Sequence, residues 1–528
     1  MSSIYGFYSG AHDASIIYIK DGEILSGIQE ERLSRIKSGD EPFSFPFLAK
    51  AEVEKETGCN MVDADYIATG SPACFKFIRE TGLPEIGIRL IDHHECHAKA
   101  AYLTSGFEGK CIVFTYDGGG TGTFGSIWAA ENGNMQLIKN LHIGKCASLA
   151  QLWAQSCYGF GWKPNKDEGK IMGMAGNGQY DPALNKMLKS VISYGGIGSL
   201  NFLPPGNPAL AIHLIDSLRK LGQFSTTKKR FDFAYNLQFI TEEVILEFIR
   251  DLNSIFPEHS SKICFAGGLF ANVKLNQKIN ELDFIEEIYI LPPMGDEGIA
   301  LGAALSVAHK IGDWPKPKRL ENVFWGKKYS NDFIEEESLK YDLKSEPYES
   351  LKAAFLLSEG KIGGFFNGRF EFGPRSLGAR SIIVQATDKN THDILNTRLE
   401  RHEVMPFAPA VLKEKASEIF ENAEKSSYSA EFMTNCYTVK ENWRRRIPAC
   451  IHSVDFTGRP QFVNKNTSPE WHDLILSYYR ITGIPLLLNT SFNGHGEPII
   501  DSPDQAFFHL EKETIDFLIM GGKIFYKK

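Results

Sequence analysis

Two histidines one helical turn apart stand at the start of a predicted helix. Asp92 is a favourable N-cap residue, and Glu95 three residues later completes the spacing of a capping box. His93 and His97 then share one helix face, whereas His94 is expected to point elsewhere. Because the positive end of the helix dipole disfavours imidazolium, both rings should be neutral and able to coordinate a cation. The spacing is typical of a metal site, but ordinary polar residues at a helix start explain it equally well.

Two aspartates follow predicted strands at glycine-containing turns. Asp117 opens a glycine-rich turn after the apolar stretch Cys111–Tyr116, and Asp296 follows the apolar stretch Ile288–Leu291. Gly268 lies in a third turn of this kind. Backbone N–H groups in such turns can hold an anion, and a carboxylate at a strand-to-helix switch can face a cleft. Tight turns, or close packing of a helix on a strand, would explain the same glycines without any ligand.

These side chains need strands to position them, and the N-terminal region supplies the strands in duplicate. In each copy a strand, a small or acidic turn and a second strand precede a hairpin signal. That signal is Asp21-Gly22 in the first copy and Asn132-Gly133 in the second. The duplication suggests the actin-like ATPase architecture of paired α/β halves.

Length and composition limit the number of domains and the class of protein. The chain has 528 residues, of which 43% are hydrophobic, enough for at least two cores. We expect a first domain at 1–330, a linker at 331–350 and a second α/β domain at 351–528. The net charge of -8 argues against a nucleic-acid partner. Nine cysteines without a CxxC pair, no signal-peptide pattern and no long apolar run favour a cytoplasmic protein without a membrane partner.

The predicted second domain contains a cluster of arginines and a polar strand end. Arg369, Arg375 and Arg380 are separated by glycines and can present planar donors to phosphate or carboxylate oxygens. Surface ion pairs would use the same arginines. Further on, the apolar strand Leu486–Leu488 leads into a segment rich in Asn and Ser, which suits a polar ligand site on a rigid sheet or simply a capped turn. The sequence has no Walker A motif, so nucleotide binding would depend on arginines and backbone turns.

Taken in order along nearly the whole chain, these motifs resemble the O-carbamoyltransferases of nodulation-factor, cephamycin and aminoglycoside type. The resemblance also includes the segments Gly10–Ser15, Gln29–Lys37, Glu168–Gly173, Gly267–Gly268 and Gly295–Gly298. It implies an N-terminal domain similar to the tRNA threonylcarbamoyl-transfer proteins, with one metal held by two histidines and two aspartates. The implied ligands are His93, His97, Asp117 and Asp296. Iron is the favoured metal, and manganese or zinc suits the same ligand set.

The segments at 451–461 and 485–498 resemble the C-terminal domain of that family, which has a YrdC-like fold. Relatives carry a segment rich in lysine and arginine before an Arg-Pro-Phe-Ala-Pro motif, whereas this chain has Arg398–Pro409, so Arg401 is expected to take over a phosphate contact. The resemblance implies that nucleotide and carbamoyl phosphate are bound by Arg369, Arg375, Arg380, Arg401, His452, Asp455, Arg459, Asn489, Ser491 and Asn493.

The implied reaction has two steps. The second domain makes carbamoyl adenylate from carbamoyl phosphate and ATP with Mg²⁺, and the first transfers the carbamoyl group to a hydroxyl, with AMP leaving. Because the intermediate is labile, water should be excluded along its route. The catalytic candidates are His12, Asp13, Lys37 and Lys170, with a structural role for His12 and Asp13 equally open. Candidates for binding carbamoyl adenylate or acceptor are Gly118, Gly119, Glu168, Gly268 and Asn272.

The expected partner is a small-molecule or sugar hydroxyl in natural-product or glycan biosynthesis, and a homodimer is an open alternative to a monomer. Three other functions fit parts of the sequence. An actin-like sugar kinase would release ADP but leaves the arginine-rich domain unexplained. A tRNA threonylcarbamoyl-transfer enzyme would share the activation chemistry, although the acidic balance suits a large RNA poorly. A noncatalytic nucleotide sensor would need no metal.

Overall fold

The computed structural model describes residues 2–38, 45–72, 87–143, 148–203, 209–401 and 406–528, and the chain divides into two units. The first unit comprises Met1–Glu23, Glu41–Pro46 and Cys59–Leu320. The second comprises Ile24–Asp40, Phe47–Gly58 and Glu321–Lys528. Two short N-terminal pieces therefore belong with the C-terminal part of the chain.

The strands are numbered in chain order, and β3 begins in the first unit and continues into the second. Up to residue 320 they are β1 (Ser3–Tyr8), β2 (Ser15–Lys20), β3 (Glu23–Gln29), β4 (Tyr66–Thr69), β5 (Ile88–Leu90), β6 (Cys111–Gly120), β7 (Thr123–Glu131), β8 (Asn134–His142), β9 (Ser193–Tyr194), β10 (Phe202–Leu203), β11 (Lys262–Ala266) and β12 (Glu287–Ile290). Beyond it they are β13 (Leu343–Pro347), β14 (Gly363–Phe366), β15 (Arg380–Val384), β16 (Ala408–Leu412), β17 (Tyr437–Thr438), β18 (Thr457–Gly458), β19 (Gln461–Val463), β20 (Leu486–Ser491), β21 (Phe517–Met520) and β22 (Lys523–Lys527).

The α-helices are numbered in the same way. Those of the N-terminal pieces and the first unit are α1 (Glu30–Ser34), α2 (Phe47–Thr57), α3 (His93–Ser105), α4 (Leu149–Phe160), α5 (Glu168–Ala175), α6 (Pro182–Lys189), α7 (Ala209–Lys220), α8 (Thr227–Ile255), α9 (Val273–Asn280) and α10 (Ile299–Ile311). The remaining helices are α11 (Asn331–Ser338), α12 (Ser350–Ser358), α13 (Thr391–Arg398), α14 (Ala416–Ile419), α15 (Ser427–Ala430), α16 (Glu441–Arg444), α17 (Pro469–Thr482) and α18 (Pro503–Glu511). Short 3₁₀ turns lie at Met61–Asp63, Gly268–Ala271, Asp296–Gly298, Lys413–Lys415 and Pro448–Cys450.

The first unit repeats one strand arrangement. In its first sheet β1 pairs antiparallel with β2 and parallel with β4, which pairs parallel with β5. In its second sheet β6 pairs antiparallel with β7 and parallel with β11, which pairs parallel with β12. The predicted hairpin turns follow β2 and β7, and both residues of each have positive φ, as a type I′ turn requires: Asp21 (51°), Gly22 (75°), Asn132 (51°) and Gly133 (87°). The duplicated α/β organisation predicted from the sequence is confirmed.

Helix α10 packs so closely on its neighbours that two positions require glycine. A Cβ on Gly302 would lie 1.9 Å from the carbonyl oxygen of Cys96 in α3. A Cβ on Gly6 of β1 would lie 2.1 Å from the carbonyl oxygen of Ala300. The first ten residues of α10 are buried. The start of α10 is thereby held beside α3, which is where the predicted metal ligands lie.

The second unit is built on a mixed sheet with the strand order β13-β22-β21-β14-β15-β20-β16-β19. Strand pairs β14/β21 and β16/β19 are parallel, and the other pairs named here, β13/β22, β21/β22, β14/β15, β15/β20 and β16/β20, are antiparallel. Trp471 of α17 is buried on this sheet, with its ring centroid 5.3 Å from that of Phe365. The α/β class predicted for this part of the chain is confirmed.

Residues 331–350, which we predicted as a linker, contain helix α11 and strand β13, and β13 pairs with β22 from Leu343↔Lys527 to Pro347↔Lys523. Their polar composition reflects a largely exposed edge strand and helix. Among the described residues, no helix is long and apolar enough to cross a membrane.

Candidate functional site

Helix α3 presents His93 and His97 on one face. The side chain of Asp92 accepts hydrogen bonds from the backbone N–H groups of His94 (2.9 Å) and Glu95 (3.1 Å), so it caps the helix as predicted. The ring centroids of His93 and His97 lie 5.0 Å apart, and both side chains are buried. The cap thus fixes where the helix begins and which side its histidines face.

Asp117 in β6 and Asp296 just before α10 bring their carboxylates to these rings. Asp117 Oδ2 lies 2.9 Å from His93 Nε2 and 3.3 Å from His97 Nε2. Asp296 Oδ1 lies 3.7 Å from His93 Nε2 and 3.6 Å from His97 Nε2. One ligand atom from each of the four residues falls within 4.8 Å of all the others. The structure therefore brings together the four residues that we predicted as metal ligands, and we call them the His/Asp cluster.

The donor set and its unsatisfied atoms fit a bound divalent cation. Two imidazole nitrogens and two carboxylate oxygens are ligands that suit iron, manganese and zinc. Within the described residues, both ring nitrogens of His97 and Asp117 Oδ1 are buried and make no hydrogen bond. Buried polar atoms without partners are costly, and a cation in the cluster would satisfy His97 Nε2, the ring nitrogen that faces both carboxylates.

The residues of the His/Asp cluster shift one another's pKa values. Burial alone would raise the pKa of Asp117, but the neighbouring rings of His94 and His93 hold it well below its ordinary value. Burial alone would lower the pKa of His97, but Asp117 and Asp296 raise it to about 9. The neutral His97 ring that we expected from the helix dipole is therefore not favoured without a cation, because two adjacent carboxylates outweigh the dipole.

His94 lies nearer to the His/Asp cluster than its position on the helix predicted. Its Nε2 is 3.5 Å from Asp117 Oδ1, and its Nδ1 is 3.0 Å from Thr115 Oγ1. His94 is not one of the four clustered ligands, but it also contacts Asp117, because Thr115 and Asp117 of β6 lie beside α3. Burial lowers the pKa of His94 to about 4, so the ring is neutral.

Tyr8, His12 and Asp13 adjoin the His/Asp cluster from the end of β1 and the loop after it. The Tyr8 hydroxyl donates to Asp296 Oδ2 over 2.5 Å. His12 Nε2 lies 4.0 Å from the same oxygen, and His12 Nδ1 lies 2.7 Å from Asp13 Oδ2. Two of the predicted catalytic candidates are therefore beside the His/Asp cluster. Tyr8 was missed, since a tyrosine in an apolar strand carries no signal of such a contact.

The other predicted site residues of the first unit differ in their contacts and in their exposure. Glu168 is close enough to His12 for their charges to interact, and burial raises its pKa. Lys170 forms an ion pair with Asp167 over 2.8 Å. Asn272 caps α9 and exchanges amide hydrogen bonds with Gln238. Gly118, Gly119 and Gly268 are exposed, which leaves their backbone accessible.

In the second unit, strand pairing brings distant motifs to one end of the sheet. Ser381 at the start of β15 pairs with Ser491 at the end of β20. Ala408 at the start of β16 pairs with Asn489, and β19 begins alongside at Gln461, two residues after Arg459. Because β20 is antiparallel to both neighbours, its C-terminal end meets their N-terminal ends.

Arg401 joins the polar end of β20. Its guanidinium donates to Thr490 Oγ1 (3.2 Å), to the carbonyl and hydroxyl oxygens of Ser491 (both 3.4 Å) and to the carbonyl of Asn493 (2.9 Å). Asn493 Oδ1 is buried without a hydrogen bond within the described residues. The structure thus groups Arg401, Ser491 and Asn493, three of the residues predicted to bind nucleotide or carbamoyl phosphate. The segment from His402 to Met405 beside Arg401 lies outside the described residues.

The side chains of Arg369 and Arg380 make hydrogen bonds and ion pairs within the second unit. Arg369 forms an ion pair with Glu56 over 2.8 Å and donates to the carbonyls of Trp325 (2.5 Å) and Leu25 (3.0 Å). Arg380 is fully buried, donates to backbone carbonyls and lies 3.5 Å above the ring of Phe366. Burial lowers its pKa to about 10. Neither geometry supports the direct phosphate contact expected of these two residues.

The remaining candidates lie on loops of the second unit. His452 Nδ1 lies 3.3 Å from Asp455 Oδ1, which also accepts from the Thr457 hydroxyl over 2.7 Å. Arg375, Arg459 and Lys37 are partly exposed, and Lys37 belongs to the N-terminal piece of this unit, not to the unit that holds the His/Asp cluster.

Two further residues hold the Arg375 loop in place. Glu371, whose side chain is 2% exposed, accepts hydrogen bonds from the backbone N–H groups of Leu377, Ala379 and Arg380. Asn489 donates to the carbonyl of Ser376 over 3.1 Å and to Gln461 Oε1 over 3.0 Å. Asn489 therefore supports the loop rather than projecting beyond it. Glu371 was missed, since its role depends on a fold that only the assembled sheet defines.

Comparison with known proteins places both units in one family. A family model described as the carbamoyltransferase N-terminus matches residues 49–305, and one described as the carbamoyltransferase C-terminus matches residues 354–527. An uncharacterized protein of Methanocaldococcus jannaschii is 31% identical over 552 residues, covering 99% of each chain. The nodulation protein NolO of Bradyrhizobium diazoefficiens is 31% identical over 446 residues, covering 83% of this chain and 79% of its own. The nodulation protein NolNO of Sinorhizobium fredii is 29% identical over 98% of this chain and 79% of its own. The chain belongs to the carbamoyltransferase family and is a carbamoyltransferase enzyme.

Proposed function

We propose that this protein is an ATP-dependent O-carbamoyltransferase that forms carbamoyl adenylate in its second unit and uses the His/Asp cluster of its first unit to pass the carbamoyl group to a hydroxyl. The observation that carries the proposal is the convergence of His93, His97, Asp117 and Asp296 within 4.8 Å, in a chain whose two parts match the two carbamoyltransferase domains.

In the first unit, the His/Asp cluster would hold a divalent cation, with iron favoured over manganese or zinc. Such a cation polarises a carbonyl or stabilises a developing oxyanion. His12, which is paired with Asp13 at the edge of the cluster, is proposed to orient the acceptor hydroxyl. Glu168, Lys170 and the exposed glycine backbone at Gly118, Gly119 and Gly268 are proposed to contact carbamoyl adenylate or acceptor.

In the second unit, Arg375, Arg401, Arg459 and the polar end of β20 are proposed to bind the phosphates of ATP, carried as its Mg²⁺ complex, and of carbamoyl phosphate. Water cleaves carbamoyl phosphate to carbamate and phosphate. A carbamate oxygen then attacks the α-phosphorus of ATP, giving carbamoyl adenylate and releasing pyrophosphate. In the transfer step the acceptor oxygen forms the new C–O bond, the bond from the carbamoyl carbon to AMP breaks, and the hydroxyl proton is released.

The proposed acceptor is a hydroxyl on a small molecule or sugar in natural-product or glycan biosynthesis. The net charge of -8 supports such an acceptor over a large RNA.

The test is to incubate the purified protein with ATP, Mg²⁺, carbamoyl phosphate and ferrous iron or Mn²⁺ under reducing conditions, and to identify the products by chromatography and mass spectrometry. We expect pyrophosphate, with AMP or carbamoyl adenylate, only when carbamoyl phosphate is present. ADP as the sole nucleotide product would point to a kinase or ATPase and contradict the proposal. An absence of turnover with folded, metal-loaded protein would also count against it.

A further inference from the structure

The N-terminal piece Ile24–Asp40 contributes side chains that hold two loops of the second unit. These loops are Gly373–Arg375, which leads into the proposed phosphate arginine, and Asn493–Ile499, which follows the polar end of β20. Helix α1 lies in this piece, with Gln29 just before it and Arg35 at its end. The contacts are made by side chains of the helix segment with backbone groups of the loops.

Both the carbonyl and the N–H of Gly373 form hydrogen bonds with side chains of the N-terminal piece. Arg32 Nη2 donates to the carbonyl of Gly373 over 2.6 Å, and the N–H of Gly373 donates to Gln29 Oε1 over 3.0 Å. Arg32 Nη2 also lies 3.3 Å from Gln29 Oε1, so the two side chains support each other. Gly373 has a φ of 127°, a conformation that side-chain-bearing residues rarely adopt. The backbone of Gly373, two residues before Arg375, is therefore held by Arg32 and Gln29.

Arg35 holds the second loop. Its Nη1 donates to the carbonyl of Ile499 over 2.7 Å and its Nη2 to the carbonyl of Pro498 over 2.9 Å. On the other side of the loop, Asn493 Nδ2 donates to the carbonyl of Glu497 over 3.0 Å. The loop that starts at Asn493 is thus stabilised by one hydrogen bond within it and by two hydrogen bonds from Arg35.

The backbone of Arg35 carries strain that its side-chain contacts explain. Arg35 is the C-cap of α1 with a φ of 61°, in the left-handed region where helix ends usually place glycine. Arg32 is 1% exposed, although burying a guanidinium is unfavourable unless its donors are used. Arg32 Nη2 and both Nη atoms of Arg35 donate to backbone carbonyls of the two loops.

We propose that Gln29, Arg32 and Arg35 are positioning residues for the carbamoyl phosphate and ATP site of the second unit, acting by fixing the loops that carry Arg375 and Asn493. This rests on the proposed function, since the site is the one assigned there to carbamoyl activation. The three positioning residues precede residues 49–305, the first segment that a carbamoyltransferase family model matches.

The experiment compares full-length Arg35→Gly, Arg35→Lys and Gln29→Ala with wild type. Arg35→Gly is the sharpest variant, because glycine relieves the left-handed strain while removing both contacts. The matched control is Arg446→Ala, since Arg446 also donates to one backbone carbonyl, that of Gly483 over 3.1 Å, away from both loops. Pyrophosphate release against carbamoyl phosphate concentration, thermal unfolding and amide hydrogen exchange are measured for each protein.

We expect Arg35→Gly to raise the KM for carbamoyl phosphate about tenfold or more, as loss of a supporting residue does, with little change in unfolding temperature. Arg35→Lys should recover part of the loss, and Arg446→Ala should match wild type. Amide exchange should rise at 494–501 in Arg35→Gly and at 371–377 in Gln29→Ala. Unchanged KM and unchanged loop exchange in Arg35→Gly would overturn the inference. If wild type itself releases no pyrophosphate, the proposed function fails, and loop exchange alone then decides whether these residues fix the loops.

Discussion

The Tyr8 hydroxyl donates a 2.5 Å hydrogen bond to Oδ2 of Asp296 and leaves Oδ1 of that carboxylate facing the two histidines. Tyr8 is the last residue of β1 and Asp296 begins the turn before α10, so the bond joins two segments that approach each other through the glycine contact at Gly6. Partners of this kind orient metal ligands and tune their affinity. Tyr8 is therefore part of the scaffold of the His/Asp cluster, although it is not one of the four residues in it.

Replacing Tyr8 by phenylalanine should weaken metal binding. Without the hydroxyl, Asp296 can rotate away from the histidines, and we expect the affinity for Mn²⁺ to fall about 10- to 100-fold. Calorimetric titration of metal-free protein measures this. Tyr5→Phe is the control, because Tyr5 lies on the same strand but donates to the carbonyl of Cys59 over 2.7 Å. Equal affinities of Tyr8→Phe and wild type would show that Asp296 needs no such support.

Gly120 should be needed for the orientation of His93. A Cβ at this position would lie 2.4 Å from Cγ of the His93 imidazole, closer than any real contact, so the ring or the end of β6 must shift. We expect Gly120→Ala to fold but to bind Mn²⁺ at least about tenfold more weakly, as displaced first ligands do. Gly118→Ala is matched for metal binding, since a Cβ there meets nothing within 4 Å. Similar metal affinities for the two variants would contradict the role assigned to Gly120.

The sequence predicted the parts of the site that depend on local rules. The Asp92 cap, the shared face of His93 and His97, and the two type I′ hairpin turns follow from helix periodicity and turn chemistry. The positions of Asp117 and Asp296 at turns after strands also followed from pattern. That the four ligands converge came from the family resemblance, since no local rule places β6 and α10 beside the same helix.

What the sequence did not predict depends on packing between distant segments. His94 turned toward Asp117 because β6 runs along α3, and periodicity within one helix says nothing about its neighbours. Arg380 looked like a phosphate ligand by its glycine-rich setting, but the strand that begins there buries its guanidinium against Phe366. The assignment of Ile24–Asp40 to the second unit rests on contacts over more than 300 residues of sequence, such as that from Arg32 to Gly373.

Metal binding should stabilise the folded protein. A cation held by the His/Asp cluster satisfies His97 Nε2, which is buried and has no hydrogen bond within the described residues. At about 100 times the dissociation constant, the gain in unfolding free energy is about 2.7 kcal/mol. Differential scanning calorimetry should show a higher unfolding temperature with Mn²⁺, reversed by a chelator. His97→Ala should show no such shift, while His213→Ala, which alters an exposed histidine of α7, should behave as wild type.

Asp117→Asn should separate the two half-reactions. The amide keeps the shape of the side chain but removes the charge that lies 2.9 Å from His93 and 3.3 Å from His97, so the metal is lost. Transfer to an acceptor should fall at least about 100-fold, because the developing oxyanion loses its stabilisation. Pyrophosphate release dependent on carbamoyl phosphate should continue. If both activities disappear from a folded Asp117→Asn protein, the division of labour between the units is wrong.

Arg375 and Arg380 should give opposite results although only four residues lie between them. Arg375 is partly exposed on the loop held by Glu371 and Asn489, so Arg375→Ala should abolish pyrophosphate release and leave the unfolding temperature unchanged. Arg380 is fully buried and donates to the carbonyls of Asn367 and Ala379. Arg380→Ala leaves these carbonyls without that donor and opens a cavity. The loss should lower the unfolding free energy by about 3 kcal/mol or more. Denaturant titration and the pyrophosphate assay on both variants compare the two effects. Wild-type activity in Arg375→Ala would remove this arginine from the activation site, whereas normal stability of Arg380→Ala would mean that its guanidinium is free to serve a ligand after all.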